Sequence, residues 1–304
     1  MFEKAVTLQR FELPASYMNK INGFLYGLLS SACFGLIPLF TLPLMQTGMR
    51  FGSVLLYRFL FFCLALGGLL VLTRQTFRIK RKDLPSLLLL ATLYDLSAIF
   101  LFWGYKLMSS GVATTLHFMY PVFTTLLMMF FFGEKSSSRR FIAVMLAVVG
   151  VWMLSHGEGA GDISVTGTLI VLISSLGYAL YIITVSQLRI RTMKGMALTF
   201  YVFLFSGSLL GIGLLTFGEL QPIESWKTAG NLAMLALVPT VISNLALVQA
   251  VKGIGSTLTS VLGAMEPVTA VCVGIFIFDE AFTFHIGSGI AFIIFAVLLI
   301  IWKR

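Results

Sequence analysis

Charge is what this sequence has least of. Only 11% of its 304 residues are Asp, Glu, Lys or Arg, against roughly a quarter in a soluble globular protein. Too few polar side chains remain to cover a water-facing surface, which excludes a soluble enzyme, and with 58% hydrophobic residues the chain is not disordered either. Cysteine is equally sparse. Cys33, Cys63 and Cys272 all fall inside apolar runs, odd in number and without a CxxC pair, which argues against a disulfide scaffold or a thiolate metal site. GxxxxGK[ST], HExxH and GxSxG are all missing. P-loop ATP hydrolysis and the common membrane protease and esterase chemistries are therefore not expected, and neither is a cofactor.

What the sequence has instead is apolar length. Its hydrophobic residues come in blocks of about 20, the number a helix needs to cross a bilayer, and mean hydropathy is +0.98. Ten spans are expected at 23–44, 52–73, 85–105, 111–132, 138–155, 164–186, 197–217, 231–250, 256–278 and 286–302. The reading is an all-α integral membrane protein. The segment before the first span carries Arg10 and Lys20 and leads into a full-length apolar run with Pro38 and Pro43. That is the pattern of a retained span rather than a cleaved leader.

The basic residues report orientation. Of 21 Lys and Arg, 17 fall on one side: in residues 1–22, in the loops 74–84, 133–140 and 187–196, at Lys252 and at the end of the chain. Arg50, Lys106 and Lys227 make 3 on the other, and Arg58 lies within a span. Cytoplasmic loops retain positive charge, so both ends are expected in the cytoplasm. The net charge of +9 is a topological signal of this kind, and nucleic acid is not an expected partner.

An internal repeat divides the chain. At an offset of 146, Lys106, Ser110, Leu116, Met119, Pro121, Val122, Phe130, Phe132 and Glu134 match Lys252, Ser256, Leu262, Met265, Pro267, Val268, Phe276, Phe278 and Glu280, which is 9 identities in 29 ungapped positions. At an offset of 144, Ser30, Ser31 and Phe34 match Ser174, Ser175 and Tyr178. The expected organisation is a segment 1–22, a first unit 23–155 and a second unit 164–302, joined by the glycine-rich stretch 156–163. Five spans per unit is an odd number, so the second copy must cross in the opposite sense. Inverted repeats of this kind recur in secondary transporters, with the substrate near the midplane.

Two tandem five-span units, each with Pro followed by an aromatic-rich stretch to Glu (MYPVFTTLLMMFFFGE and MEPVTAVCVGIFIFDE), resemble the EamA family of the drug/metabolite transporter superfamily. Glu266-Pro267 and Arg58-Phe59 are similar to that family as well. The resemblance covers about residues 23–302 and implies ten helices around a central cavity. With the compact loops, it also implies a bacterial inner membrane. The second unit departs from the first in having Tyr201 or Val202 where the first has Arg58, so any role of Arg58 is asymmetric.

The candidate site residues are the ionisable groups within spans. A charge near the bilayer centre costs roughly 2.5–3.5 kcal/mol on insertion scales, so such groups face a cavity or one another. Asp95 and Glu266 each lie ~15 Å along their spans and Arg58 ~9 Å from a span end, at the rise of a helix. Glu266 shares a stripe with Thr259, Gly263, Thr269, Ala270 and Gly274. It reads either as a substrate-amine or proton site, or as a contact between helices. Asp95 has Ala91, Thr92, Ala98, Phe102 and Trp103 on its side, which suits an organic cation but equally a salt bridge to Arg58. Arg58 can grip a substrate carboxylate or snorkel to the headgroups. His117 is a hydrogen bonder in a cavity or between helices. Trp103, Tyr178 and Asn244 are further lining candidates. Phe59, Phe61, Phe62 and Phe130 to Phe132 read as packing or lipid-facing, and Glu134 and Glu280 as interface or capping residues. The functional reading is a secondary transporter, an exporter of amino acids or related metabolites, coupled to protons. Efflux of lipophilic cations and a non-transporting membrane enzyme or scaffold are the alternatives.

Overall fold

An apolar run in lipid can satisfy its own amides only by coiling into a helix, since no water replaces a missing partner. The computed structural model describes residues 15–74, 79–133, 138–156, 165–187 and 195–301, and among them no strand occurs. The helices are α1 (Ala15–Gly35), α2 (Ile37–Gln46), α3 (Phe51–Leu72), α4 (Leu84–Gly104), α5 (Ser110–His117), α6 (Tyr120–Phe132) and α7 (Ser138–His156). They continue as α8 (Val165–Gln187), α9 (Gly195–Thr216), α10 (Trp226–Ala236), α11 (Ser243–Leu262), α12 (Met265–Phe278) and α13 (Phe284–Ile301). A π-helical turn, Leu237–Ile242, joins α10 to α11. Among the described residues, seven helical stretches are long and apolar enough to cross a membrane, and Phe141–Met153, Met265–Phe278 and Phe284–Leu299 are shorter apolar helices.

Proline explains most of the differences from the expected spans. Spans 111–132 and 256–278 read as unbroken. The first is interrupted at Phe118 and Met119 and the second at Gly263 and Ala264, two to four residues ahead of Pro121 or Pro267. Proline offers no N–H and crowds the preceding turn, so the helix restarts there. The same chemistry at Pro239 accompanies the π turn. The expected gap 251–255 is a second difference, because α11 keeps helical hydrogen bonding through it. A straight helix could not make the contacts found on either side of this point, so α11 bends sharply there. Ser243 meets Ser30, Gly253 meets Gly23, Leu262 meets Gly27 and the Glu266 carbonyl meets Gly35. Moving from 243 to 253 thus follows α1 one way, and moving from 253 to 266 follows it back.

Packing is built from pairs. α1 lies along α11, α4 along α8, α3 along α9 and α7 along α13, while α4 also meets α9, α3 meets α10 and α5 meets α12. Small residues allow the closest crossings. A side chain at Gly35 would come within 2.6 Å of Thr269 Cβ and closer still to the Glu266 carbonyl. Gly35→Leu is therefore expected to prevent α1 from seating on α12. The folded fraction of the variant in size-exclusion chromatography should collapse, whereas Gly68→Leu, at a position with open space around it, should elute as the parent does.

Hydroxyls join the long pairs. Ser30 Oγ donates to the Ser243 carbonyl at 2.9 Å, and Ser174 Oγ donates to the Ser97 carbonyl at 2.6 Å. Bonds of this kind average about 0.6 kcal/mol between helices in a membrane protein. At the end of α12, Glu280 accepts from the Ser110 amide (2.7 Å) and the Gly111 amide (3.4 Å), satisfying orphan donors at the start of α5. The capping reading of Glu280 thus holds, while Glu134 and residues 157–163 lie outside the described residues. Loss of this charge-assisted cap in Glu280→Ala should destabilise the fold by about 1–2 kcal/mol, read as a lower midpoint of thermal unfolding.

The outer faces carry phenylalanine that no described residue covers. Phe130 and Phe131 are 78% and 76% exposed, whereas Phe59 and Phe62 are buried at 1% each. The two clusters therefore divide between the two readings, lipid-facing in α6 and packing in α3. At one end of the bundle the turn after α2 is latched to the loop after α9. Gln221 is the hub: its amide donates to Ser53 Oγ (3.0 Å), its carbonyl accepts from Tyr57 (2.9 Å) and its side chain donates to the Gly48 carbonyl (3.3 Å) and accepts from the Arg50 amide. Arg50 also pairs with Glu219 at 3.7 Å.

Candidate functional site

The helix interruptions place backbone ends and polar side chains inside spans. α5 is eight residues long, so the break after it lies about 12 Å into the span. His117 ends α5 and Glu266 sits in the first turn of α12. Those are the ends at which a helix favours a cation and an anion respectively.

Arg58 is buried at 3% exposure in α3, which is not the position of a snorkelling side chain. Its Nε donates to Thr240 Oγ1 at 3.1 Å, and its guanidinium carbon is 5.9 Å from the centroid of Phe102. Thr240 Oγ1 donates onward to the Leu235 carbonyl (3.2 Å), and Asn244 Nδ2 donates to the Thr240 carbonyl at 2.6 Å. The π turn thus presents one threonine to both Arg58 and Asn244. No carboxylate of a described residue lies within 4.0 Å of Arg58, because the ion pair among described residues is Arg50 with Glu219. Salt bridging to Asp95, one of the two readings of that aspartate, is not formed.

Glu266 is half-buried, and its carboxyl makes no hydrogen bond or ion pair to a described residue. It lies within electrostatic reach of Tyr94, Tyr105, Tyr120 and Tyr178, and Arg58 reaches Tyr94 and Tyr105 as well. Tyr94, Tyr120 and Tyr178 belong to a continuous lattice of rings. Tyr120 meets Tyr178 at 4.8 Å, Tyr178 meets Tyr181 at 5.7 Å, Tyr181 meets Tyr94 at 5.7 Å, and Tyr94 meets Phe203 at 4.7 Å between centroids. Edge and face contacts of this kind hold rings in fixed orientation. Tyr105 OH is 3.2 Å from Thr114 Oγ1.

His117 sits 5.5 Å from Tyr178, ring to ring, with Nδ1 at 3.0 Å from Ser174 Oγ. Ser174 gives its single proton to Ser97, so Nδ1 must be the donor in this contact. That assigns the Nδ1–H tautomer from the network, leaves Nε2 as an acceptor in the neutral ring, and makes His117 a bridge between α5 and α8.

The structure therefore brings Arg58, Glu266 and His117 near the lattice that contains Tyr178, with Asn244 joined to Arg58 through Thr240. Trp103 is outside it, 41% exposed and packed on Phe100. Asp95 lies at the lattice edge, buried, in a groove between α4 and α9. Tyr94, Tyr105, Tyr181 and Thr240 were not singled out by sequence. Pro239 marked the π turn that presents Thr240, but nothing in the local pattern marked the tyrosines.

Comparison with known proteins gives the same direction. Residues 21–156 and 165–302 each match the EamA-like transporter family. Two proteins of Bacillus subtilis named as uncharacterized transporters are similar. YdfC is 28% identical over 58% of this chain and 58% of its own length, and YwfM is 26% identical over 53% of each. The alignments thus span little more than half of those relatives. A solved crystal structure at 16% identity superposes with a TM-score of 0.63 over 92% of this chain and 97% of the other, a likeness of fold alone. The chain is a multi-pass membrane protein of the EamA-like transporter family, within the drug/metabolite transporter superfamily.

Proposed function

We propose that this protein is a secondary transporter that exports amino acids or related small metabolites by alternating access. The observation that carries the reading is a pair of opposite charges, Arg58 and Glu266. Both lie within electrostatic reach of Tyr94 and Tyr105, and neither is ion-paired with a described residue. An amphoteric substrate offers a carboxylate to a guanidinium, which can grip it with two parallel bonds, and an ammonium to Glu266 and the faces of the rings.

Alternating access needs two halves that can trade conformations. The proposed architecture is ten crossings in two inverted five-helix units around a central cavity. Its support is the coincidence of contacts under the repeat. Ser30 corresponds to Ser174 at offset 144 and Ser243 to Ser97 at offset 146, so the bonds Ser30–Ser243 and Ser174–Ser97 are one contact made twice. Phe59 and Phe203 also correspond at 144, and they meet each other at 5.3 Å, as residues beside a pseudo-two-fold axis would. The helix pairs α1 with α11 and α4 with α8 exchange under the same operation.

In this reading the membrane is a bacterial inner membrane, as the compact loops and the family suggest, and both ends are cytoplasmic with the Gln221 latch outside, as the Lys and Arg count supports. The partners in this reading are the bilayer, one small metabolite and protons, with no catalysis, cofactor or nucleic acid. The test is flux by the purified chain in liposomes without ATP, over a panel of amino acids and related metabolites. Solute movement driven by an imposed pH gradient is expected, and absence of flux for the whole panel at every gradient would overturn the reading.

A further inference from the structure

The groove between α4 and α9 has its own chemistry. Its cavity of about 410 Å³ falls within the range of about 300–1,000 Å³ typical of small-molecule sites. Its walls are Ile99, Leu209, Leu210, Leu214 and Phe217, and Gly213 has nothing within 4 Å of the place where a Cβ would sit. Thr92, Leu209 and Phe217 are exposed, so the groove opens sideways from the bundle. Asp95 lies in it at 8% exposure, and its Oδ1 is buried with no hydrogen-bond partner. Glu219, the other charged member of the lining, is already paired with Arg50 at 3.7 Å, which leaves Asp95 as the unpaired charge of the groove.

A buried carboxylate oxygen without a donor is costly in apolar surroundings. A lipid chain would fill the walls and leave that oxygen unsatisfied. A proton would satisfy the oxygen and leave the walls empty. A molecule with an apolar body and one positive charge fills the walls and counters the carboxylate, and the unpaired Asp95 selects its sign. We propose that this groove is a second ligand site, open to the bilayer, that takes a lipophilic organic monocation with its charge against Asp95. The proposal concerns binding and does not depend on transport through the central site.

The probe is tetraphenylphosphonium, with binding measured by equilibrium dialysis to the full chain in nanodiscs of zwitterionic lipid. Wild-type protein should bind saturably, and triphenylphosphine oxide, of similar shape and no net charge, should compete poorly. Asp95→Asn should weaken binding about tenfold or more, because a carboxamide offers no counter-charge, while Asp95→Glu should retain it. Gly213→Phe and, separately, Leu209→Trp fill the groove without touching Asp95, and each should abolish saturable binding. Either filling variant that stays monodisperse is sufficient for the test. Absence of saturable binding, equal competition by the neutral compound, undiminished binding in Asp95→Asn, or undiminished binding with the groove filled would each overturn the proposal.

Discussion

Glu266→Gln is expected to stop proton-driven flux while leaving solute exchange running. The carboxyl stands in the first turn of α12, beside the helix break, half-buried and without a partner among the described residues. A carboxamide has nearly the same shape, so the α1–α12 crossing at Gly35 should be undisturbed, but it takes up no proton. Net transport driven by a pH gradient should therefore fall by about 100-fold or more, and counterflow exchange with substrate on both sides should stay within about threefold, since an uncharged amide still donates and accepts hydrogen bonds. Purified variants in liposomes separate the two rates directly. If the dependence on the pH gradient is unchanged, Glu266 has no coupling role and the carboxyl is a contact between helices.

The second large effect is expected at the latch between the turn after α2 and the loop after α9. Ser53 Oγ is 3.0 Å from the Gln221 amide, which puts the two Cα atoms at most about 7 Å apart, within disulfide reach. The native contacts there are neutral hydrogen bonds, each contributing about 1 kcal/mol, and one exposed ion pair worth about 0–1 kcal/mol. Together they are weak enough to open and close in each cycle. A covalent bond is not. In a background with Cys33, Cys63 and Cys272 replaced, Ser53→Cys with Gln221→Cys should lose about tenfold or more of its net flux on oxidation and recover it on reduction. Complete cross-linking with flux at the parental rate would mean that these loops do not separate during transport.

Membrane insertion explains why so much of the fold could be read in advance. Lipid offers no partner to a stray amide, so each crossing must be a helix and must be written as a contiguous apolar run. The rotation of each helix about its own axis is a different matter. α3 and α4 are apolar all round, and a helix without a polar stripe carries no signal of which face turns inward. That is why Arg58 and Asp95, on neighbouring spans, read equally well as a salt bridge although they do not form one. It is also why Trp103 was grouped with Asp95. Eight residues along a helix is about 80° round it, enough to put Asp95 in a groove and Trp103 on the outer surface.

By itself the sequence determined the membrane, the helical class, the repeat and the family, because composition, span length and the spacing of Pro and Glu are properties of the chain in one dimension. It also named the intramembrane charges, since their cost in lipid makes each of them conspicuous. Tertiary structure decided their company. Arg58 is tied to Thr240 because a π turn around Pro239 aims that hydroxyl across the bundle, and Glu266 lies within electrostatic reach of four tyrosines drawn from α4, α6, α8 and the turn after α4. Contacts between residues more than a hundred positions apart depend on how apolar helices settle against one another. That settling is governed by small residues, close crossings and a few buried hydroxyls, whose partners are chosen only when the helices pack.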